Sequence, residues 1–390
     1  MKKIFCLIFS VIFLLCLGSC KNQEPNKLPV SSDVSEASLL EEKIEELLGS
    51  MTLEEKIAQM LIVEVKNGQN LSSPVPGGII LFEENFTSCQ KTYDFINGLK
   101  AQSEHPLIVS VDQEGGSVQR LKSLHSPKAT NIPSMYSLGK TEDCLLAYET
   151  GRVMAEEMGA LGINVAFAPV LDIYSNPNNK VIGKRSFSEN PHTVSDMAIN
   201  LAKGMEESGV IPTYKHFPGH GDTATDSHIK LPIIRKTKAE LYSQELIPFE
   251  RAINNGAKII MVGHIALPEI TGDNTPATLS KEIITNLLIK EMGFEGLIVT
   301  DALNMGALIK NYSQEEIYKM TVGAGTDLLL MPQNPDLAIK VIKENFTEER
   351  INASVKKILY FKYKYLSVSV QYDIISIGSA EHKATVDRIK

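Results

Sequence analysis

The sequence predicts a parallel (β/α)8 barrel of the TIM type as a single catalytic domain. Three observations lead there. Eight apolar, β-branched runs of strand length recur along the chain. Segments with helical spacing separate most of them, several opening on a helix-start signal. Chargeable residues gather at the C-terminal ends of these runs, where a parallel barrel keeps its chemistry.

The eight runs fall at residues 60–65, 78–82, 107–111, 164–171, 211–216, 258–263, 296–300 and 326–331. They lack the apolar–polar alternation of a half-solvated sheet, as expected for strands covered on both faces. Between them, Thr52-x-x-Glu55, Thr237-x-x-Glu240 and Ser313-x-x-Glu316 read as capping boxes, and Ser280 as a further N-cap. An open doubly wound sheet is the alternative arrangement. Its nucleotide-binding form requires a G-x-G-x-x-G after the first strand, and none is present.

The 390 residues are 43% hydrophobic and 22% charged, an ordinary globular balance that suits one large domain. A net charge of -8 and the lack of any long Lys/Arg run argue against nucleic acid as a partner. The chain has no Trp, but 13 Phe and 12 Tyr remain to stack on a ligand.

Residues 1–19 read as a signal peptide. Lys2 and Lys3 precede an apolar stretch at 4–17, too short to span a membrane comfortably, and Leu17-Gly18-Ser19-Cys20 follows. Small residues before Cys20 look like a bacterial lipobox, with Cys20 lipidated and the protein held at a membrane in the cell envelope, facing outside the cytoplasm. An uncleaved anchor and an ordinary signal peptide are the competing readings. Residues 20–38, rich in Asn, Pro, Ser and Lys, read as a flexible tether. The barrel is expected over 39–366, and 367–390 as a tail outside the repeating pattern, containing one β-like run (SVSVQYDIISI). The mature chain keeps Cys20, Cys89 and Cys144, so no disulfide framework carries the fold, and a Cys89–Cys144 bond is neither required nor forbidden.

Asp112, Asp172, Lys215, His216, His264 and Asp301 all stand at or just beyond predicted strand ends. Such a set points to one polar pocket. The segment YKHFPGHGDTATDSH at 214–228 holds three of the eight histidines. It admits three readings: a solvated loop, a metal site built from His216, His220 and His228 with Asp222 or Asp226, or acid–base chemistry. In the last, Asp226 would orient the imidazole of His228, which titrates near pH ~6.5 when unperturbed. Asp301 is the best nucleophile candidate; a helix N-cap is nearly as good a reading of the residue alone, and the company of the other strand-end residues tilts it to the nucleophile.

Together these segments resemble glycoside hydrolase family 3, in its bacterial β-N-acetylglucosaminidase (β-hexosaminidase) branch and in lipoprotein form. The likeness runs from about Met51 to Leu366. It is carried by MTLEEKI (51–57), DQEGGSVQR (112–120), GINVAFAPVLDI (162–173), IGKRSFSENP (182–191), KHFPGHGDTATDSH (215–228) and VTDALNMGAL (299–308), in that order. The resemblance implies that Asp301 is the catalytic nucleophile and His228 the acid/base, with Asp226 its partner. Asp112, Arg120, Arg185, Lys215 and His216 would hold the sugar, with His264 also lining the site. No metal and no organic cofactor is implied. Ser117 departs from the Arg of many relatives, and Glu83-Glu84 from a commoner basic or small pair. GSAEHKATVDRIK (378–390) looks like the approach to a second domain that some relatives carry.

The expected activity is retaining exo-hydrolysis of terminal β-linked N-acetylglucosamine from peptidoglycan fragments or similar glycoconjugates, through a covalent glycosyl-Asp301 intermediate. The expected partners are a β-GlcNAc-containing glycan or muropeptide, and the membrane through Cys20. A neutral imidazole base would not repel an anionic acceptor, so phosphorolysis to a sugar 1-phosphate is the enzymatic alternative. A non-catalytic glycan-binding lipoprotein is the alternative from another class.

Overall fold

The computed structural model describes residues 36–223, 231–367 and 372–389. Residues 1–35, including Cys20 and the whole proposed signal peptide, lie outside the described residues. Among those described, no helix is long and apolar enough to cross a membrane.

All eight expected strands form. Numbered within the barrel, they are β1 (Leu61–Glu64), β2 (Gly78–Leu81), β3 (Ile108–Val111), β4 (Val165–Ala166), β5 (Ile211–Phe217), β6 (Ile259–Val262), β7 (Leu297–Thr300) and β8 (Leu329–Leu330). Each pairs in parallel with its neighbour in sequence, and β8 returns to β1. A bridge between Val299 and Leu328, with the Thr300 N–H donating to Leu328 O at 3.0 Å, closes the ring. β4 is shorter than expected, because Pro169 has no N–H to give the ladder. The extended chain nevertheless continues beside β5, with Lys215 N donating to Pro169 O and Leu171 N to Lys215 O.

The pleat sorts the core into two clusters. Ile80, Ile108, Val165, Ile211, Ile259, Met261, Leu297 and Val299 belong to one cluster, which also takes in helix residues such as Ile57, Ile317 and Val355. Their neighbours Ile79, Leu81, Val109, Val111, Ile260, Val262 and Ile298 belong to the other, shared with other helices of the barrel. All three capping boxes are formed. Ser280 accepts Ile283 N at 3.4 Å, at the start of a π-type helix over Glu282–Glu291.

Two boundaries differ from the sequence reading. The helix Glu36–Ser50 already includes residues before 39, and it packs on the helix Glu348–Phe361 and adds Ile44 and Leu48 to the first cluster. The β-like run in the tail forms no strand over its described part: Ile374–Ser376 is a 3-10 turn and Ala380–Val386 a helix. Ile377 of the run and Val386 and Ile389 beyond it join the main core cluster, while Ile375 stays exposed. Cys89 and Cys144 are free thiols.

One buried charge lies away from the strand ends. Lys362 is fully buried with its ammonium 2.6 Å from Gln59 Oε1, and burial pushes its pKa down to about 7. The unfolded chain therefore holds this proton up to about pH 10.5, whereas the folded chain releases it near 7. The cost to folding is complete below pH 7 and fades as pH rises toward 10.5. Lys362→Met is expected to stabilise the protein at pH 6 by about 2–4 kcal/mol. Denaturant titrations at pH 6 and pH 10 check this, since the gain should shrink at the higher pH.

Candidate active site

The strand ends deliver most of the expected residues to one place. Asp112 follows β3, and the chain then folds into a small antiparallel hairpin, Gln113–Gly115 with Val118–Gln119. Gly115 and Gly116 make this tight turn at positive φ. A Cβ on Gly115 would stand 2.8 Å from Pro133 O, so the close approach requires glycine. The hairpin aims Glu114 inward and ends at Arg120.

Glu114 organises the cationic side of the pocket. Its Oε1 lies 2.6 Å from Lys215 Nζ and accepts Arg185 Nη2 at 2.8 Å, while Oε2 accepts Arg185 Nε at 2.7 Å. Lys215 also reaches Asp112 Oδ1 at 2.8 Å. Burial would raise the Glu114 carboxyl, but Arg185 and Lys215 outweigh it and hold it far below the usual carboxylate range. Burial likewise works against the Lys215 ammonium, and Asp112 and Glu114 outweigh it and raise its pKa. Arg120 is half-buried, with Nη1 3.3 Å from Glu83 Oε1 and Nη2 3.9 Å from Asp112 Oδ2.

β5 supplies the next pair. Lys215 and His216 are consecutive, joined by a cis peptide, and both belong to this cluster. His216 Nδ1 lies 2.6 Å from Asp172 Oδ2. Asp172 Oδ1 accepts the backbone N–H of His216 at 3.3 Å and of His220 at 2.6 Å. This buried carboxylate thus fixes the His216 ring and the first turn of the His-rich loop together. Burial would raise its pKa, and His216 and His220 bring it below the ordinary value. Asn179 Nδ2 donates to His220 O and Gly221 O, and Thr223 Oγ1 meets His220 Nδ1 at 2.9 Å. Burial, against the pull of Asp172, lowers the pKa of His220.

Asp301 ends β7 and stays partly open. Its Oδ1 accepts the N–H of Ala302 at 2.8 Å. The next helical turn, Gly306–Ile309, begins with no side-chain cap, so Asp301 is no helix cap. Burial favours a neutral carboxyl, but His264, His216, the Ala302 N–H and Lys215 prevail and keep Asp301 below the ordinary carboxylate value. It is held as an anion at the end of the barrel where a nucleophile belongs.

His264 is fully buried, with Nδ1 2.6 Å from Thr278 Oγ1 and Nε2 2.9 Å from Ala302 O, the residue after Asp301. From there its pull on the Asp301 carboxylate is electrostatic. Asp226 and His228 lie outside the described residues. The flanks of their segment are tied together, since Lys236 Nζ lies 3.0 Å from Asp222 Oδ2 and 2.5 Å from Glu245 Oε1. Among the described residues, no group of three or more His, Cys, Asp or Glu is arranged to hold a metal ion.

The sequence alone singles out no role for Glu114, and marks Asp172 only as a strand-end residue. A carboxylate two residues beyond Asp112, next to a Gly-Gly turn, was the available signal for Glu114. Its cationic partners stand 71 and 101 positions away in the sequence.

Comparison with known proteins bears on the same residues. The model of the glycosyl hydrolase family 3 N terminal domain matches residues 52–361. Beta-hexosaminidase A of Pseudoalteromonas piscicida is 33% identical over 342 residues, covering 79% of this chain and 57% of that protein. A beta-hexosaminidase of Neisseria meningitidis serogroup C is 36% identical over 285 residues, covering 71% of this chain and 77% of the other. Among solved structures, a glycoside hydrolase family 3 beta-N-acetylglucosaminidase from Paenibacillus sp. str. FPU-7 superposes with a TM-score of 0.81 at 33% identity, over 87% of this chain and 68% of that one. The chain therefore spans little more than half the length of the first relative.

Proposed function

Because the chain belongs to glycosyl hydrolase family 3, we propose that it is a β-N-acetylhexosaminidase that removes terminal β-linked N-acetylglucosamine in an exo mode. The observation that carries this reading is Asp301, a carboxylate kept ionised at the end of β7 beside His216 and Lys215. The Ala302 N–H orients one oxygen, His264 favours the anion electrostatically, and the carboxylate stays partly open to a ligand.

In this reading Asp301 attacks the anomeric carbon while the leaving oxygen takes a proton from His228, which Asp226 orients. Water, activated by the now neutral His228, then releases the sugar with retained configuration. The roles of Asp226 and His228 rest on the family motif. Asp112, Lys215, Arg185, Arg120 and His216 offer the charged and polar groups that would hold sugar hydroxyls and the N-acetyl group. Lys215 and Arg185 are locked by Glu114 before any sugar arrives, so little side-chain entropy is lost on binding. Peptidoglycan fragments are the substrate class that fits an envelope protein, and lipidation at Cys20 would keep the barrel on the outer side of a membrane.

The test is release of p-nitrophenol from its β-N-acetylglucosaminide and β-glucoside, each with and without phosphate, by the chain from residue 21. Turnover of the N-acetyl substrate alone, indifferent to phosphate, is the expected result. Sugar 1-phosphate formation would turn the assignment to phosphorolysis. Turnover of neither substrate, with retained binding of N-acetylglucosamine, would replace the enzyme by a glycan-binding protein. For the anchor, metabolic labelling with a fatty acid should mark the native chain and not Cys20→Ser.

A further inference from the structure

We propose that the C-terminal segment 372–389 is a working part of the barrel, in which His382 is a positioning residue for the sugar-binding hairpin at 113–119. His382 is buried on the helix Ala380–Val386. Its Nδ1 lies 3.0 Å from Glu157 Oε1 and its Nε2 2.8 Å from Glu156 Oε2. Both acceptors are carboxylates on the barrel helix Cys144–Ala160, and only a ring with both N–H groups satisfies the two.

Glu157 passes this contact on. It accepts Gly378 N at 2.8 Å, and from the far side it accepts Thr130 N at 2.9 Å and Thr130 Oγ1 at 2.6 Å. The two residues after Thr130 grip the hairpin. Asn131 Oδ1 accepts Gln119 Nε2 at 3.3 Å, Ile132 N donates to Gln119 Oε1 at 2.8 Å, and Gly116 N donates to Ile132 O at 2.9 Å. The hairpin carries Glu114 and is flanked by Asp112 and Arg120. Hydrogen bonds linked through the backbone of residues 130–132 thus join the tail to the hairpin, which carries or flanks the residues that would hold the sugar. Gly378 makes the seat close: at φ 65°, a Cβ there would stand 2.0 Å from Lys128 O. Read from sequence, GSAEHKATVDRIK looks like the approach to another domain; its folded role is as a buttress.

The contact depends on pH. Burial disfavours the imidazolium, but Glu157 and Glu156 outweigh it and raise the pKa of His382. Arg152 faces the same pocket, bound to Glu156 and Glu381, and the Cys89 thiol and Tyr372 hydroxyl sense Glu157 and Glu156. Stability from this pair is complete below the unfolded value of 6.5 and is lost as pH rises through the elevated folded value. As the proton leaves, one carboxylate loses its donor and the hairpin loses part of its backing.

The kinetic arm rests on the glycosidase reading; the exchange arm does not. Full-length His382→Gln is to be compared with wild type and with Arg388→Ala, whose exposed pairs with Glu149 and Asp143 lie on the same C-terminal segment. On the p-nitrophenyl substrate, the Gln variant should raise KM roughly fivefold at pH 6 with kcat within about twofold. Wild-type KM should rise with pH, and the Gln variant should lose that rise. Glu156→Gln, which keeps an acceptor, should move the wild-type inflection to lower pH, and it carries the test if the first variant fails to fold. Amide exchange over 113–121 should speed up in His382→Gln and not in Arg388→Ala, whether or not the chain turns over substrate. A lowered melting temperature with unchanged KM, pH profile and hairpin exchange would overturn the proposal.

Discussion

Asp301→Asn should lower kcat/KM by on the order of 10⁴-fold and leave the fold intact, because the amide keeps the shape but cannot form the glycosyl ester. The change is local. Asp301 Oδ1 accepts the neighbouring Ala302 N–H, and the amide oxygen can keep that bond. Loss of the anion removes a counter-charge to His264, His216 and Lys215, so a modest fall in stability is expected alongside the loss of rate. Steady-state kinetics beside a thermal melt separate the two. Since the carboxylate titrates below its ordinary value of 3.8, an acid limb in the wild-type rate between pH 5 and 8 belongs to another group. Near-normal turnover by the Asn variant would remove Asp301 from the chemistry.

Glu114→Gln should have the largest effect of any change outside the reacting atoms. The wild-type carboxylate is almost fully buried and binds Lys215 once and Arg185 twice. Without its charge, the buried Lys215 and the largely buried Arg185 are left with Asp112, Asp172 and Asp301 as the remaining anions. Breaking such a buried pair costs about 3–5 kcal/mol, because the partners stay charged and desolvated. The denaturation midpoint should fall accordingly, and KM should rise more than kcat falls, since the cations that receive the sugar lose their fixed positions. The folded pKa of Glu114 lies below its unfolded value of 4.5, so its contribution is complete above that value and fades as pH drops toward the folded one. The Gln variant should therefore show a flatter loss of stability below about pH 4.5. An unchanged midpoint and unchanged KM would mean that Lys215 and Arg185 do not depend on this carboxylate.

Much of the architecture was legible in the linear chain. Eight buried strands, three capping boxes and the strand-end positions of Asp112, Lys215, His216 and Asp301 all follow from local pattern: a strand covered on both faces must be apolar throughout, and a helix start needs acceptors for its free N–H groups. Whether Asp301 capped a helix stayed open, because capping is a question of φ/ψ and direction. Only the tertiary structure tied His264 to Thr278 and Ala302, joined Asp172 to two histidines, and put Glu114 between Lys215 and Arg185. These are contacts between carboxylates and cations far apart in the chain, and a residue's spacing from its neighbours carries no trace of a partner on another strand. The tail was decided in the same way. Its alternating SVSVQYDIISI run suits a strand, but a closed barrel offers no free sheet edge, and of its described part Tyr372, Ile374 and Ile377 pack against the main core instead.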